Sequence, residues 1–131
     1  ADKLKDNNYL WQQIFLNKPS VTLEADATTA DASKGFWFIS GTNTAAKELT
    51  AINNAKKGVA YIIECGDKTN VTSVPKSGSF ESISEAWTPT NVGDYLMVIL
   101  NSQNKFIELE RCTGGVRKVN KTAQPNVPGA R

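Results

Sequence analysis

The sequence predicts an all-β fold, mainly an antiparallel sandwich or barrel, with a short N-terminal helix and an extended C-terminal tail. Three observations lead there. Short runs rich in β-branched and aromatic residues recur at intervals of roughly 8–12 residues, with Gly, Asn, Pro and Ser clusters between them. No long helical pattern separates the runs, which argues against βαβ units. Residues 113–131 hold Gly114, Gly115, Pro125, Pro128 and Gly129 and few large apolar side chains.

The elements follow in order. Leu4, Leu10, Trp11, Ile14 and Phe15 gather on one face of a helix over residues 1–18. Asn7 or Asn8 would cap it and Pro19 would stop it. That apolar stripe packs either on the chain's own core or in a partner's groove. Residues 20–25 alternate as a strand, and the small polar residues 26–34 read as a loop. Gly35 and Gly41 bracket an aromatic strand. Its consecutive Phe36, Trp37 and Phe38 must point to both strand faces. One face is core. The other is core as well, a subunit contact or a ligand platform.

Residues 43–50 read as a turn of helix or a polar loop, and residues 53–58 as a turn. Residues 59–65 form a strand, 66–70 a turn and 71–74 a short strand ended by Pro75. Residues 76–78 turn again, and residues 79–83 alternate like a strand. Tyr95 to Leu100 is almost continuously apolar, hence buried or central. Trp87 and Tyr95 are assigned to the main core. Residues 101–104 reverse the chain, and residues 105–111 alternate on the way back. The domain reading is an N-terminal arm or short helix over 1–18, a compact β-domain over 19–112, and an extended basic tail over 113–131. From Arg111 onward the chain carries Arg111, Arg117, Lys118, Lys121 and Arg131 and no acidic residue. Such a tail is either solvated or ordered on a neighbouring subunit or acidic surface.

Length and composition set outer limits. A chain of 131 residues suits one domain. With 40% apolar and 21% charged residues, global disorder is not expected. A net charge of +2 gives no reason to expect nucleic-acid or membrane binding across the surface. No run reaches the roughly 18 apolar residues of a membrane span, and residues 1–16 lack the apolar stretch of a secretory signal. Ala1 at the start and Met97 as the only methionine match removal of an initiator methionine. A complete protein made inside the cell is therefore expected, with Cys65 and Cys112 as reduced, core-facing thiols.

Chemistry is sparse. There is no histidine, which removes His-based metal sites and every His-dependent nucleophile. Glu81 with Glu85, or Glu108 with Glu110, are the nearest carboxylate pairs. The second pair is expected on one strand face by the two-residue period. Asp67, Thr69 and Asn70 read as an Asx-type turn rather than a calcium loop. No catalytic residue, cofactor or metal is assigned. Asn70-Val-Thr and Asn120-Lys-Thr match the glycosylation pattern, which matters only in a secreted context.

A pattern then runs through residues 52–111. It reads Gly58-x-x-Tyr61-x-Ile63, Thr69-Asn70-x-Thr72, Ser77-Gly78-x-Phe80, Gly93-Asp94-Tyr95 and Lys105-Phe106-x-Glu108-Leu109-x-Arg111. It resembles the short β-domains of virion structural proteins of tailed bacteriophages. The resemblance implies a non-enzymatic virion protein, best fitted to a capsid decoration (auxiliary head) role. It implies a homo-oligomer, often a trimer, bound to the capsid lattice and made in the host cytoplasm, with no membrane or specific nucleic-acid partner. Candidate interface residues are Leu10, Trp11, Ile14 and Phe15 in the N-terminal arm, Trp37 in the aromatic strand, and Arg117, Lys118 and Lys121 in the tail. The alternatives are a head-fibre, neck or tail module, or a carbohydrate- or ligand-binding β-module using Trp37 or Trp87.

Overall fold

A computed structural model of the protein describes residues 20–121. The expected helix over 1–18, with its stop at Pro19, lies outside the described residues. Ten strands follow in chain order: β1 (Val21–Thr22), β2 (Thr29–Asp31), β3 (Trp37–Ile39), β4 (Lys47–Glu48), β5 (Ala51–Asn53), β6 (Ala60–Glu64), β7 (Thr72–Ser73), β8 (Tyr95–Leu100), β9 (Phe106–Thr113) and β10 (Val116–Val119). The mainly β expectation holds. The described residues contain no long helix, only a short 3-10 turn at Gly78–Phe80.

The arrangement of strands departs from a mainly antiparallel one. The main sheet has six strands in the order β1-β3-β6-β8-β9-β10. β1, β3 and β6 run parallel, and β6, β8, β9 and β10 are antiparallel neighbours. Parallel neighbours need a crossover, and here the crossovers are loops carrying short strands. β2 pairs with β5 and β4 pairs with β7, both in parallel. The first half of the chain is thus a coil of successive passes, each stacked on the one before.

Side chains bridge the passes. The buried Asn43 amide donates to the Asn70 carbonyl and to Thr72 Oγ1, both at 2.9 Å. Its oxygen accepts the Asp26 backbone N–H at 2.7 Å. Gly66 lies so close to the preceding pass that an added Cβ would sit 2.3 Å from the Ser40 carbonyl oxygen.

The antiparallel half follows the expected hairpin. The β8–β9 turn closes where Asn101 N–H donates to the Lys105 carbonyl at 2.9 Å. Asn104 there adopts φ 62, a left-handed conformation that asparagine tolerates. β10 continues the meander on β9, so Val116–Val119 stand in the sheet where an extended tail was expected. Residues 122–131 lie outside the described residues.

One face of the main sheet forms the core. Phe38, Tyr61, Ile63, Leu96, Val98, Leu100 and Phe106 project from it. Trp87, Phe80, Ile83, Val74, Leu49, Ile52 and Ala30 cover them from the loops and small sheets. Trp87 is fully buried, as expected, and its Nε1 donates to the Cys112 carbonyl at 3.2 Å. Residues 79–83 are not a strand. Gly78 takes φ 58, and the 3-10 spacing puts Phe80 and Ile83 on one side, both wholly buried. The Lys76 ammonium closes this segment by donating to the Glu81 and Ile83 carbonyls at 2.8 and 2.7 Å.

Two buried polar assemblies tie the second half together. The Arg111 guanidinium donates to both Glu108 oxygens at 3.0 and 2.7 Å and to the Glu85 and Ala86 carbonyls. Ser84 donates its hydroxyl to Glu108 at 3.0 Å. The buried Asp94 carboxylate accepts backbone N–H groups from Thr90, Asn91, Gly114 and Gly115 at 2.7–3.1 Å. Among the described residues, no buried side-chain nitrogen or oxygen lacks a partner.

Candidate functional site

The register between β8 and β9 slips at Met97/Val98, where Met97 pairs with Glu110 and Val98 with Glu108. Leu109 is the extra residue of this β-bulge. The two glutamates therefore do not share a face, contrary to the two-residue period. Glu108 turns into the core toward Arg111, while Glu110 stands on the outer face beside Arg117.

Strand register defines that outer face. Trp37 pairs with Ile62, Ile62 with Met97 and Met97 with Glu110. Ala60 pairs with Ile99, and Ile99 with Ile107. Glu64 and Tyr95 form the next pair. Tyr95 thus belongs to the outer face and is only half-buried, so its expected place in the main core is corrected. The cause is parity: the core-facing members of β8 are Leu96, Val98 and Leu100.

A cleft of about 320 Å³ opens on this face between Trp37, Ile62, Glu64, Tyr95, Met97, Glu110 and Arg117. Its floor is apolar. At one side Trp37 Nε1 donates to Glu64 Oε1 at 3.0 Å. At the other, the Tyr95 hydroxyl donates to Glu110 Oε2, and Arg117 donates Nε and Nη2 to the same carboxylate at 3.0 and 3.2 Å. Burial, reinforced by the neighbouring Glu110, pushes the Tyr95 phenol up to about 12. Burial would also raise Glu110, but hydrogen bonds from Arg117 and Tyr95 outweigh it and hold the carboxyl below its ordinary range.

Of the residues singled out from the sequence, Trp37 and Arg117 meet across this cleft. Leu10, Trp11, Ile14 and Phe15 lie outside the described residues. Lys118, on β10, stands opposite Arg111 of β9 in the strand register, and Lys121 is the last described residue. Trp87 has no exposed surface and offers no ligand platform. Nothing in the sequence pattern assigns Tyr95 and Glu110 to this place. Only the bulge at Leu109 brings Glu110 here, and no sequence period signals it. Asp67 forms the expected Asx turn, accepting the Thr69 N–H at 2.8 Å. No group of three or more Cys, Asp or Glu with metal-site geometry occurs among the described residues.

β10 is a second feature. It ends the main sheet, with β9 on one side and no strand on the other among the described residues. All four of its residues are exposed, Val116 to 71%. Val92, in the loop held by Asp94, is 62% exposed. No helix of the described residues is long and apolar enough to cross a membrane. Comparisons with protein-family models, curated proteins and solved structures give no match.

Proposed function

We propose that the protein is a non-enzymatic structural component of a tailed-bacteriophage virion, a capsid decoration or auxiliary head protein that binds the capsid lattice and neighbouring copies. The observation that carries this reading is the exposed edge strand β10, where Val116 and Val119 flank Arg117 and Lys118. An edge that presents backbone donors and acceptors with apolar and cationic side chains is suited to contact with another protein. The resembling segments support it. Gly93-Asp94-Tyr95 launches β8, and Phe106 to Arg111 return as β9, so the pattern coincides with the hairpin on which β10 is laid.

Sedimentation of the purified chain tests this. A trimer or larger assembly is expected, weakened by salt because of the cationic edge. Val116→Asp and Lys118→Glu should each weaken it while leaving the fold intact. A chain that stays monomeric at all concentrations, or assembles unchanged in both variants, overturns the reading. The cleft at Trp37 favours a second reading, a carbohydrate- or ligand-binding module. Binding on a glycan array that is lost in Trp37→Ala would select it.

A further inference from the structure

β6 and β8 read Ala-Tyr-Ile-Ile-Glu and Tyr-Leu-Met-Val-Ile-Leu. Strands so continuously apolar belong to sheets covered on both faces. The core covers one face only. The buried core cluster takes Tyr61, Ile63, Leu96, Val98 and Leu100 from these strands and none of Ala60, Ile62, Met97 and Ile99. Ile62 is nonetheless only 5% exposed, and Met97, Ile99 and Ile107 are half-buried. The outer face is thus a second apolar surface across the middle of the sheet, with the Trp37–Arg117 cleft at one end.

We infer that residues 1–18 of the same chain cover this face, laying the stripe of Leu10, Trp11, Ile14 and Phe15 over Ile62, Met97 and the cleft. Three considerations select this occupant. The chain outside the described residues ends at Pro19, and Ser20 leads straight into β1, at the sheet edge beside Trp37's strand. The distance is short. β8 lies three strand spacings from β1, about 14 Å. The five residues from Phe15 to Ser20 reach about 17 Å when extended. The two surfaces also answer each other's need. A short amphipathic segment is marginal in water without a packing partner, and tethering favours the nearest apolar surface over one on another molecule. The inference is independent of the virion reading. It removes the stripe from the list of lattice contacts and leaves β10 in that role.

Met97 is the only methionine, so a ¹³C-methyl-methionine sample of the full chain gives one reporter at the centre of this face. Gln13→Cys, off the apolar stripe, carries a nitroxide. Wild-type chain treated with the same reagent checks that the buried Cys65 and Cys112 stay unlabelled. The Met97 methyl signal should lose most of its intensity in the labelled chain and recover it when Trp11→Asp is added. Unchanged intensity on labelling, or no recovery with Trp11→Asp in a chain whose amide spectrum remains dispersed, overturns the inference. A mixture of nitroxide-bearing unlabelled chain with ¹³C chain lacking the nitroxide decides between copies. A marked intensity loss in that mixture assigns the face to a second molecule and also overturns it.

Discussion

Gly114 donates its backbone N–H to Asp94 Oδ2 at 2.7 Å, so the turn between β9 and β10 is fastened to a carboxylate at the start of β8. Gly115 adds a bond to the other oxygen, and Thr90 and Asn91 bind from the loop that precedes Asp94. One side chain therefore sets both the exposed loop bearing Val92 and the hairpin that presents β10.

Asp94→Asn should lower stability by about 3 kcal/mol, because an amide turns an N–H toward donors that need an acceptor. Burial works against the Asp94 charge, but the four backbone N–H groups outweigh it and hold the carboxyl at about 2, below the ordinary 3.8. The folded value is depressed, so its stabilisation is complete above about pH 4 and fades as pH falls toward 2. Urea melts between pH 5 and 2 should show a steeper loss in wild type than in Asp94→Asn. Parallel curves would contradict this.

Glu108→Ala should cost about 3–5 kcal/mol, since it leaves the Arg111 guanidinium buried without its carboxylate. Ser84→Ala removes one hydroxyl bond to Glu108 and should cost about 1 kcal/mol. Urea denaturation of both variants checks the ratio. Equal costs would mean that the ion pair contributes no more than its neighbour.

Trp87 and Tyr95 should separate. Trp87→Ala empties a wholly buried site and should cost about 3–5 kcal/mol. Tyr95→Phe removes one hydroxyl from the outer face and should cost about 1 kcal/mol. Thermal melts of the two variants provide the comparison, and a large loss in Tyr95→Phe would return that residue to the core.

Cys65 follows β6 and Cys112 lies on β9, with β8 between those strands. Two strand spacings are about 9.6 Å, beyond the roughly 7 Å that a disulfide spans. Melts with and without reductant should coincide. Burial raises both thiols above their ordinary value. Aromatic disulfide reagents should therefore react slowly until the chain is denatured.

Gly66→Ala should destabilise the coil by about 1–3 kcal/mol, because the new methyl meets the Ser40 backbone rather than a movable side chain. Gly58→Ala meets no atom within 4 Å but must hold φ 80. Its cost comes from the backbone alone, about 1 kcal/mol. Circular-dichroism melts rank the two, and a neutral Gly66→Ala would show that the passes can separate.

The legible parts of the fold were those specified locally. The Tyr95–Leu100 run, the Asn101–Asn104 reversal and the return through Phe106 each carry their own signal and became β8, the turn and β9. The hidden parts depend on distant partners. Thr29–Asp31 and Lys47–Glu48 show no apolar alternation. They are strands because Ala51–Asn53 and Thr72–Ser73 lie beside them. The same holds for the cleft. Trp37 was visible as one of three consecutive aromatics, but its Glu64 partner comes from parallel pairing and Glu110 from a bulge. Serine and glutamate between Phe80 and Ile83 imitate alternation, and only Gly78 hints that the backbone coils there.

The stacked passes of the first half and the meander of the second set the unfolded chain two different tasks. β8, β9 and β10 join neighbours across short reversals, and little chain entropy is lost in closing them. β1, β3 and β6 each await a strand that arrives only after a whole loop has been laid down, and Tyr61 and Ile63 must meet β8 before that stack has a wall. Early order should therefore spread from the C-terminal hairpin toward the N-terminus, against the direction of synthesis. A ribosome-bound chain that has not yet released β8 would hold its parallel strands without the surface on which they assemble.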